Sequence, residues 1–162
     1  MEKLKASAQK VQDYLASSGL AISVRQLPDS TRTAADAATA VGCEINQIAK
    51  SLVFRDDDTD KAVLVIASGP NRVDTGKIER ETGHKLGRAD AEFVRRRTGF
   101  AIGGIPPFAH PEPLHTILDR DLRDLGKIWA AAGTPNALFE IGPGDLQNLT
   151  NGTWMDIAEQ KS

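Results

Sequence analysis

The sequence predicts an α+β fold: a mixed, curved or barrel-like β-sheet flanked by short helices. Strand-like runs outnumber strand–helix–strand units, which argues against a doubly wound parallel sheet. Two apolar runs, 48–54 and 61–67, stand on either side of the acidic turn Asp56-Asp57-Asp58-Thr59-Asp60 and read as a hairpin. The helical segments are short, and several end in glycine, the residue that most readily takes the left-handed conformation closing a helix. At 162 residues the chain fits one domain, 1–162, with one sizeable core.

Taken in order, residues 2–18 read as an amphipathic helix, because Leu4, Ala8, Val11 and Leu15 share one face of a period of about 3.6. Gly19 stops it. Ala21–Val24 reads as a strand, and Leu27-Pro28-Asp29-Ser30 has the composition of a turn. Thr33 can cap a helix with Asp36 in its first turn, running through alanines to Gly42. The hairpin follows. Asp74 and Asp90 cap two short helices, 75–82 and 91–97, ended by Gly83 and Gly99. Strands are expected at 100–102, 116–119, 128–131 and 137–141, with a last helix from near Pro143 that includes Asp145, Leu146 and Leu149.

Composition excludes several classes. No apolar run approaches the roughly 20 residues that span a bilayer, and the N-terminus lacks the apolar core of a secretory signal. One cysteine, Cys43, makes neither an internal disulfide nor a thiol cluster, so a cytoplasmic protein is expected. A net charge of −2 argues against a general nucleic-acid coat protein. The charge is uneven, however. Residues 72–97 carry eight Lys/Arg against five Asp/Glu, and residues 111–160 carry three against eight. The basic middle suits sequence-independent phosphate contacts, while Arg95, Arg96 and Arg97 also suit a helix C-terminus electrostatically. His84, His110 and His115 lie in loops and form no metal-ligand pattern, and the Asp run lacks the glycine and glutamate of a calcium loop. No metal or other cofactor is expected.

Two features carry chemistry. Alternation along a strand puts Ile48, Lys50, Leu52 and Phe54 on one face, so an ammonium lies among apolar side chains. Buried lysines need a partner; a lysine at the strand entrance whose stem snorkels to water explains the same residue. The second feature is Gly103-Gly104-Ile105-Pro106-Pro107. Its glycines let a ligand approach backbone N–H groups and its prolines stiffen the exit, although a plain turn has the same composition.

The lysine within Ile-Ala-Lys-Ser-Leu-Val-Phe, followed about fifty residues later by Thr-Gly-Phe-Ala-Ile-Gly-Gly-Ile-Pro-Pro, resembles the YbaK/prolyl-tRNA-editing family. Its members are freestanding relatives of the insertion domain of bacterial prolyl-tRNA synthetase. The resemblance runs from the N-terminal helix to Gly144-Asp145-Leu146. It implies hydrolysis of an amino acid wrongly attached to tRNA, most often tRNA for proline, with the synthetase or an elongation factor as further partners. It implies an essential role for Lys50, with Gly103 and Gly104 holding the substrate. The pocket would be shaped by Ile105 and Pro107 of the loop and by Phe54 on the lysine face. Members acting on cysteine carry a tyrosine and an aspartate near the pocket, where Leu27 and Leu138 stand here. That departure shifts the expectation from cysteine towards alanine, 2-aminobutyrate, serine or threonine. Thr31, Thr33 and Ser68 could hydrogen-bond a substrate hydroxyl, and each also suits a cap or turn. A non-catalytic aminoacyl-tRNA or synthetase-binding module, and a hydrolase of simple amino-acid esters, are the competing readings.

Overall fold

The structure is a computed structural model and describes residues 3–28 and 33–160. Five helices, α1 (Ala6–Ser17), α2 (Ala34–Val41), α3 (Thr75–Thr82), α4 (Ala91–Thr98) and α5 (Pro143–Thr150), surround one mixed sheet. Its strands are β1 (Arg25–Gln26), β2 (Ile48–Asp56), β3 (Ala62–Ser68), β4 (Leu86–Arg88), β5 (His115–Asp119), β6 (Ile128–Ala131), β7 (Ala137–Ile141) and β8 (Thr153–Met155). The path across the sheet is β1-β7-β6-β2-β3-β5-β8, with β4 joined to β2. The α+β expectation holds, as does the hairpin, whose register pairs Lys50 with Ala67 and Phe54 with Val63.

Chain chemistry accounts for the element ends. The Thr33, Asp74 and Asp90 side chains accept from the backbone N–H of Asp36, Lys77 and Phe93, capping α2, α3 and α4. Gly42, Gly83 and Gly99 close the same three helices in the left-handed conformation. Every residue of β3 is buried, as expected of a strand enclosed on both faces.

The two faces of the sheet are packed separately. On one, Ala49, Leu64, Ile66, Leu118, Ala130 and Phe139 meet α1 through Ala8, Val11 and Leu15. On the other, Val63, Val65, Ala67 and Ile117 pack with Ile78 of α3, while Ile48, Trp129 and Leu138 pack with Ala37 and Ala38 of α2.

Two expected strands are absent. Residues 21–24 form no strand; instead the Gln12 side chain donates to the Ile22 carbonyl at 2.9 Å and accepts from Val24 N–H at 2.8 Å. A side-chain amide thus replaces a ladder partner, and pairing begins at Arg25, opposite Leu138. Residues 100–102 lie between Gly99 and Gly103, whose φ angles are +81° and +101°. Turns that close together leave no room for a strand, and Gly104 N–H closes back on the Ala101 carbonyl. Conversely, β4 and β8, three residues each, were not expected from the sequence.

Candidate active site

One edge of β2 is paired with β3 from Ala49 to Arg55, but the other is shared. Ile48 and Ala49 pair in parallel with Trp129 and Ala130 of β6, and Phe54–Asp56 pair with β4. Between them, residues 50–53 have no strand partner on that edge among the described residues. The sheet forks there. A cavity of about 240 Å³ occupies the fork, lined by Lys50, Ser51 and Leu52 of β2 and by Trp129 and Ala131 of β6. The start of α2 closes it with Thr33, Ala34 and Ala37, and the glycine loop contributes Ile102, Gly103 and Ile105. The cavity straddles the strand edge, so side chains from both faces of the sheet reach it.

Lys50 is half-buried between the two apolar clusters that cover its face. Its Nζ donates to the Asn71 main-chain carbonyl at 2.7 Å. Asn71 is held in turn: its Nδ2 donates to Asp119 Oδ2 and Asp121 Oδ2, both at 2.8 Å. Asp119, 1% exposed, also accepts from Ser68 N–H at 2.9 Å through Oδ2 and from Asp121 N–H at 2.9 Å through Oδ1. A buried carboxylate so fully satisfied is a rigid anchor. Burial lowers the Lys50 pKa from its ordinary value; the Asp119 charge opposes that shift and Arg72 adds to it. An ammonium with one of its three donors committed has two left for a ligand.

The loop glycines differ in what they do. Gly103 lines the cavity at a φ of +101°, a conformation that favours glycine. Gly104 is spent on packing: a Cβ there would lie 2.7 Å from the Thr134 backbone, its N–H donates to Ala101, and its carbonyl accepts from Gly133 N–H at 2.8 Å. The Ser51 hydroxyl is buried at the cavity without a hydrogen-bond partner among the described residues.

Of the residues expected at the site, Lys50, Thr33, Gly103, Ile105 and Leu138 line one cavity. Leu27 packs against the cluster that contains Leu138 and is fixed by hydrogen bonds in both directions with Asn136. Phe54 packs with the α3 cluster, and Pro107 is buried away from the cavity wall. Ser68 donates its hydroxyl to the Asn46 carbonyl at 2.7 Å and belongs to the Asp119 network. Thr31 lies outside the described residues. Sequence reasoning missed Ser51, Ile102, Trp129, Asn71 and Asp119; only the fork and the network beneath Lys50 reveal them.

No histidine, cysteine or carboxylate lines the cavity among the described residues. Nor does any group of three or more His, Cys, Asp or Glu among them suit a metal ion. What the site offers is a cation, a glycine backbone and a small apolar chamber.

The model of the aminoacyl-tRNA editing domain matches residues 28–149, which include nearly all of these positions. The chain belongs to that family. Editing domains of this kind are aminoacyl-tRNA deacylases, hydrolases of the ester joining an amino acid to tRNA. A solved structure described as "a putative trans-editing enzyme for prolyl tRNA synthetase" is 47% identical, with a TM-score of 0.91 over 98% of this chain and all of that one. The "Uncharacterized protein YwhH" of Bacillus subtilis is 29% identical over 84% of this chain and 87% of its own length. The "Putative Cys-tRNA(Pro)/Cys-tRNA(Cys) deacylase EbsC" of Enterococcus faecalis is 26% identical over 80% of this chain and 79% of its own. No helix of the editing domain's described residues is long and apolar enough to cross a membrane.

Proposed function

We propose that this editing domain works in trans on tRNA for proline carrying a small noncognate amino acid, and that Lys50 carries the chemistry. The observation that carries the reading is the half-buried Lys50 ammonium, fixed on Asn71 at the edge of a chamber of about 240 Å³. That volume is below the roughly 300–1,000 Å³ of typical ligand pockets and suits an aminoacyl group with a short side chain. Alanine, 2-aminobutyrate, serine, threonine and cysteine are the candidates by size. The apolar wall, with Leu138, Ile48 and Trp129, favours alanine and 2-aminobutyrate, because a polar side chain would lose hydration there without full compensation. Ser51 and Thr33 are the two hydroxyls available to a polar alternative.

In this reading the two free donors of Lys50 and the Gly103 N–H face the ester carbonyl and stabilise the negative charge that develops on its oxygen. The nucleophile is external, a water or a hydroxyl of the terminal ribose, since no cavity side chain forms a nucleophile–base pair. With water, addition to the carbonyl carbon is followed by cleavage of the carbonyl–ribose oxygen bond. The ribose oxygen leaves with a proton and the amino acid is released as its carboxylic acid. Prolyl-tRNA synthetase or an elongation factor would present the substrate, in the cytoplasm.

The test is deacylation of tRNA for proline charged in turn with alanine, 2-aminobutyrate, serine, threonine, cysteine and proline. Fast loss of alanine or 2-aminobutyrate with proline spared is the expected result. Equal rates on all six, or no turnover of any, would rule out the assignment.

A further inference from the structure

The far end of β2 holds a second cluster of titratable groups that the hydrolytic chemistry does not use. Asp56, 2% exposed at the last position of the strand, accepts from His84 Nδ1 at 2.6 Å. That bond orients the imidazole and leaves Nε2 as its free nitrogen. The carboxylate is held below its ordinary pKa chiefly by this hydrogen bond. His115, at the start of β5, packs edge-on against His84 with ring centroids 4.5 Å apart. Both histidines line an open cleft of about 590 Å³ together with Lys61, Arg97 and Glu112.

Arg97 is poised there in an unusual way. Its Nη2 donates to the Asp60 carbonyl at 3.1 Å and its guanidinium lies over the Phe93 ring, yet its Nε is buried without a partner among the described residues. A buried guanidinium N–H left unpaired is costly unless a ligand completes it. Arg55 and Arg96 flank the same ring, and Asp60 is the acidic partner of both Arg55 and Arg97. The cleft lining itself sets two full cations, Lys61 and Arg97, against one carboxylate, Glu112.

The geometry points to this cleft as a second binding site, for a phosphodiester of the tRNA backbone, gripped by Lys61, Arg97, His84 and His115. A lysine and an arginine donate charge-assisted hydrogen bonds to phosphate oxygens, the imidazoles join them when protonated, and none carries sequence information, so the site positions the substrate and leaves amino-acid choice to the cavity. Asp56 lies six residue steps along β2 from Lys50, about 20 Å at ~3.3 Å per residue. A tRNA whose 3′ end enters the fork can therefore reach the cleft with its acceptor arm. This inference rests on the hydrolase reading and adds a docking surface to it.

The groups facing the imidazoles are Asp56 from β2, Lys61 from the hairpin turn, Arg97 from α4 and Glu112 from the segment before β5. Partial desolvation of the exposed His115 ring and the neighbouring His84 both lower its pKa, so its positive form gains as the pH falls or an anion arrives. Binding should therefore tighten as the pH falls from 8 to 6.

The experiment measures binding of an uncharged tRNA-for-proline transcript to the full chain against salt concentration, at pH 6 and pH 8. The Lys61→Gln/His115→Gln double variant alters two exposed side chains and spares the Asp56–His84 bond. Expected is affinity about tenfold weaker for the double variant, with the slope of log affinity against log salt reduced by about one per lost phosphate contact. Glu112→Gln, which removes the carboxylate of the cleft, tightens binding. Unchanged affinity and slope in the double variant, or wild-type binding indifferent to pH, overturns the inference. If that happens while the wild type still deacylates, the docking site alone fails. If no aminoacyl-tRNA is deacylated but the double variant loses binding, the hydrolase reading fails instead.

Discussion

At the scale of single residues, Lys50 is the group we propose carries the chemistry, and its environment gives it a pH signature. Burial depresses its pKa below 10.5. If the charged form is the catalytic one, enzyme-dependent deacylation falls as pH rises through that depressed value, once spontaneous ester hydrolysis is subtracted. Stability moves the other way. Between the folded value and 10.5 the unfolded chain binds more protons than the folded one, so stability rises with pH across that window. Lys50→Met should abolish both trends, measured as a rate profile and a denaturation profile. Opposite slopes from one ammonium would be hard to obtain from a lysine that merely snorkels. Ser51→Ala makes a second test: the hydroxyl has no partner to lose, so unfolding should move little. Any rate change should then be largest for serine and threonine substrates.

At the scale of elements, two devices position the site. The Asp119 network, joining the end of β5 to the residues after β3, holds the carbonyl that Lys50 grips. Asp119→Ala strands buried donors on Ser68 and Asn71, which should cost about 2–4 kcal/mol in denaturant unfolding and slow deacylation by misplacing Lys50. Gly104→Ala drives a methyl into the Thr134 backbone and should cost about 1–3 kcal/mol. Gly103→Ala meets only Pro135 at 3.9 Å, so its effect should come through backbone strain at φ +101°, again about 1–3 kcal/mol. These contrasts also show what the sequence could reveal. Lys50 and the glycine–proline loop were legible because an ammonium on an apolar strand and adjacent glycines before two prolines are unusual locally. Asn71 and Asp119 were not, since residues 48 apart become partners only after β3 and β5 pair in parallel. Residues 21–24 misled because their apolar content was real, but Gln12 supplied the hydrogen bonds expected from a strand. Ser68 and Leu27 had suitable side chains whose hydrogen bonds or packing lie elsewhere.

At the scale of the molecule, the long β2 strand links the candidate active site to the proposed docking cleft. Near its start the sheet forks around Lys50; at its last residue Asp56 orients His84. The lowered pKa of Asp56 means its stabilising contribution is present above pH 3.8 and lost as pH falls through its lower folded value. Asp56→Asn should flatten that acid limb in pH-dependent unfolding. The proposal is that one cavity, with its cation and small chamber at the fork, hydrolyses the aminoacyl ester. Its most direct test is single-turnover deacylation of alanyl-tRNA for proline by wild type and Lys50→Ala, with tRNA affinity measured in parallel. A rate loss of about a hundredfold or more with tRNA affinity little changed is the predicted result, the size expected when an oxyanion-stabilising donor is removed. A Lys50→Ala protein that folds, binds tRNA and deacylates at the wild-type rate would contradict it.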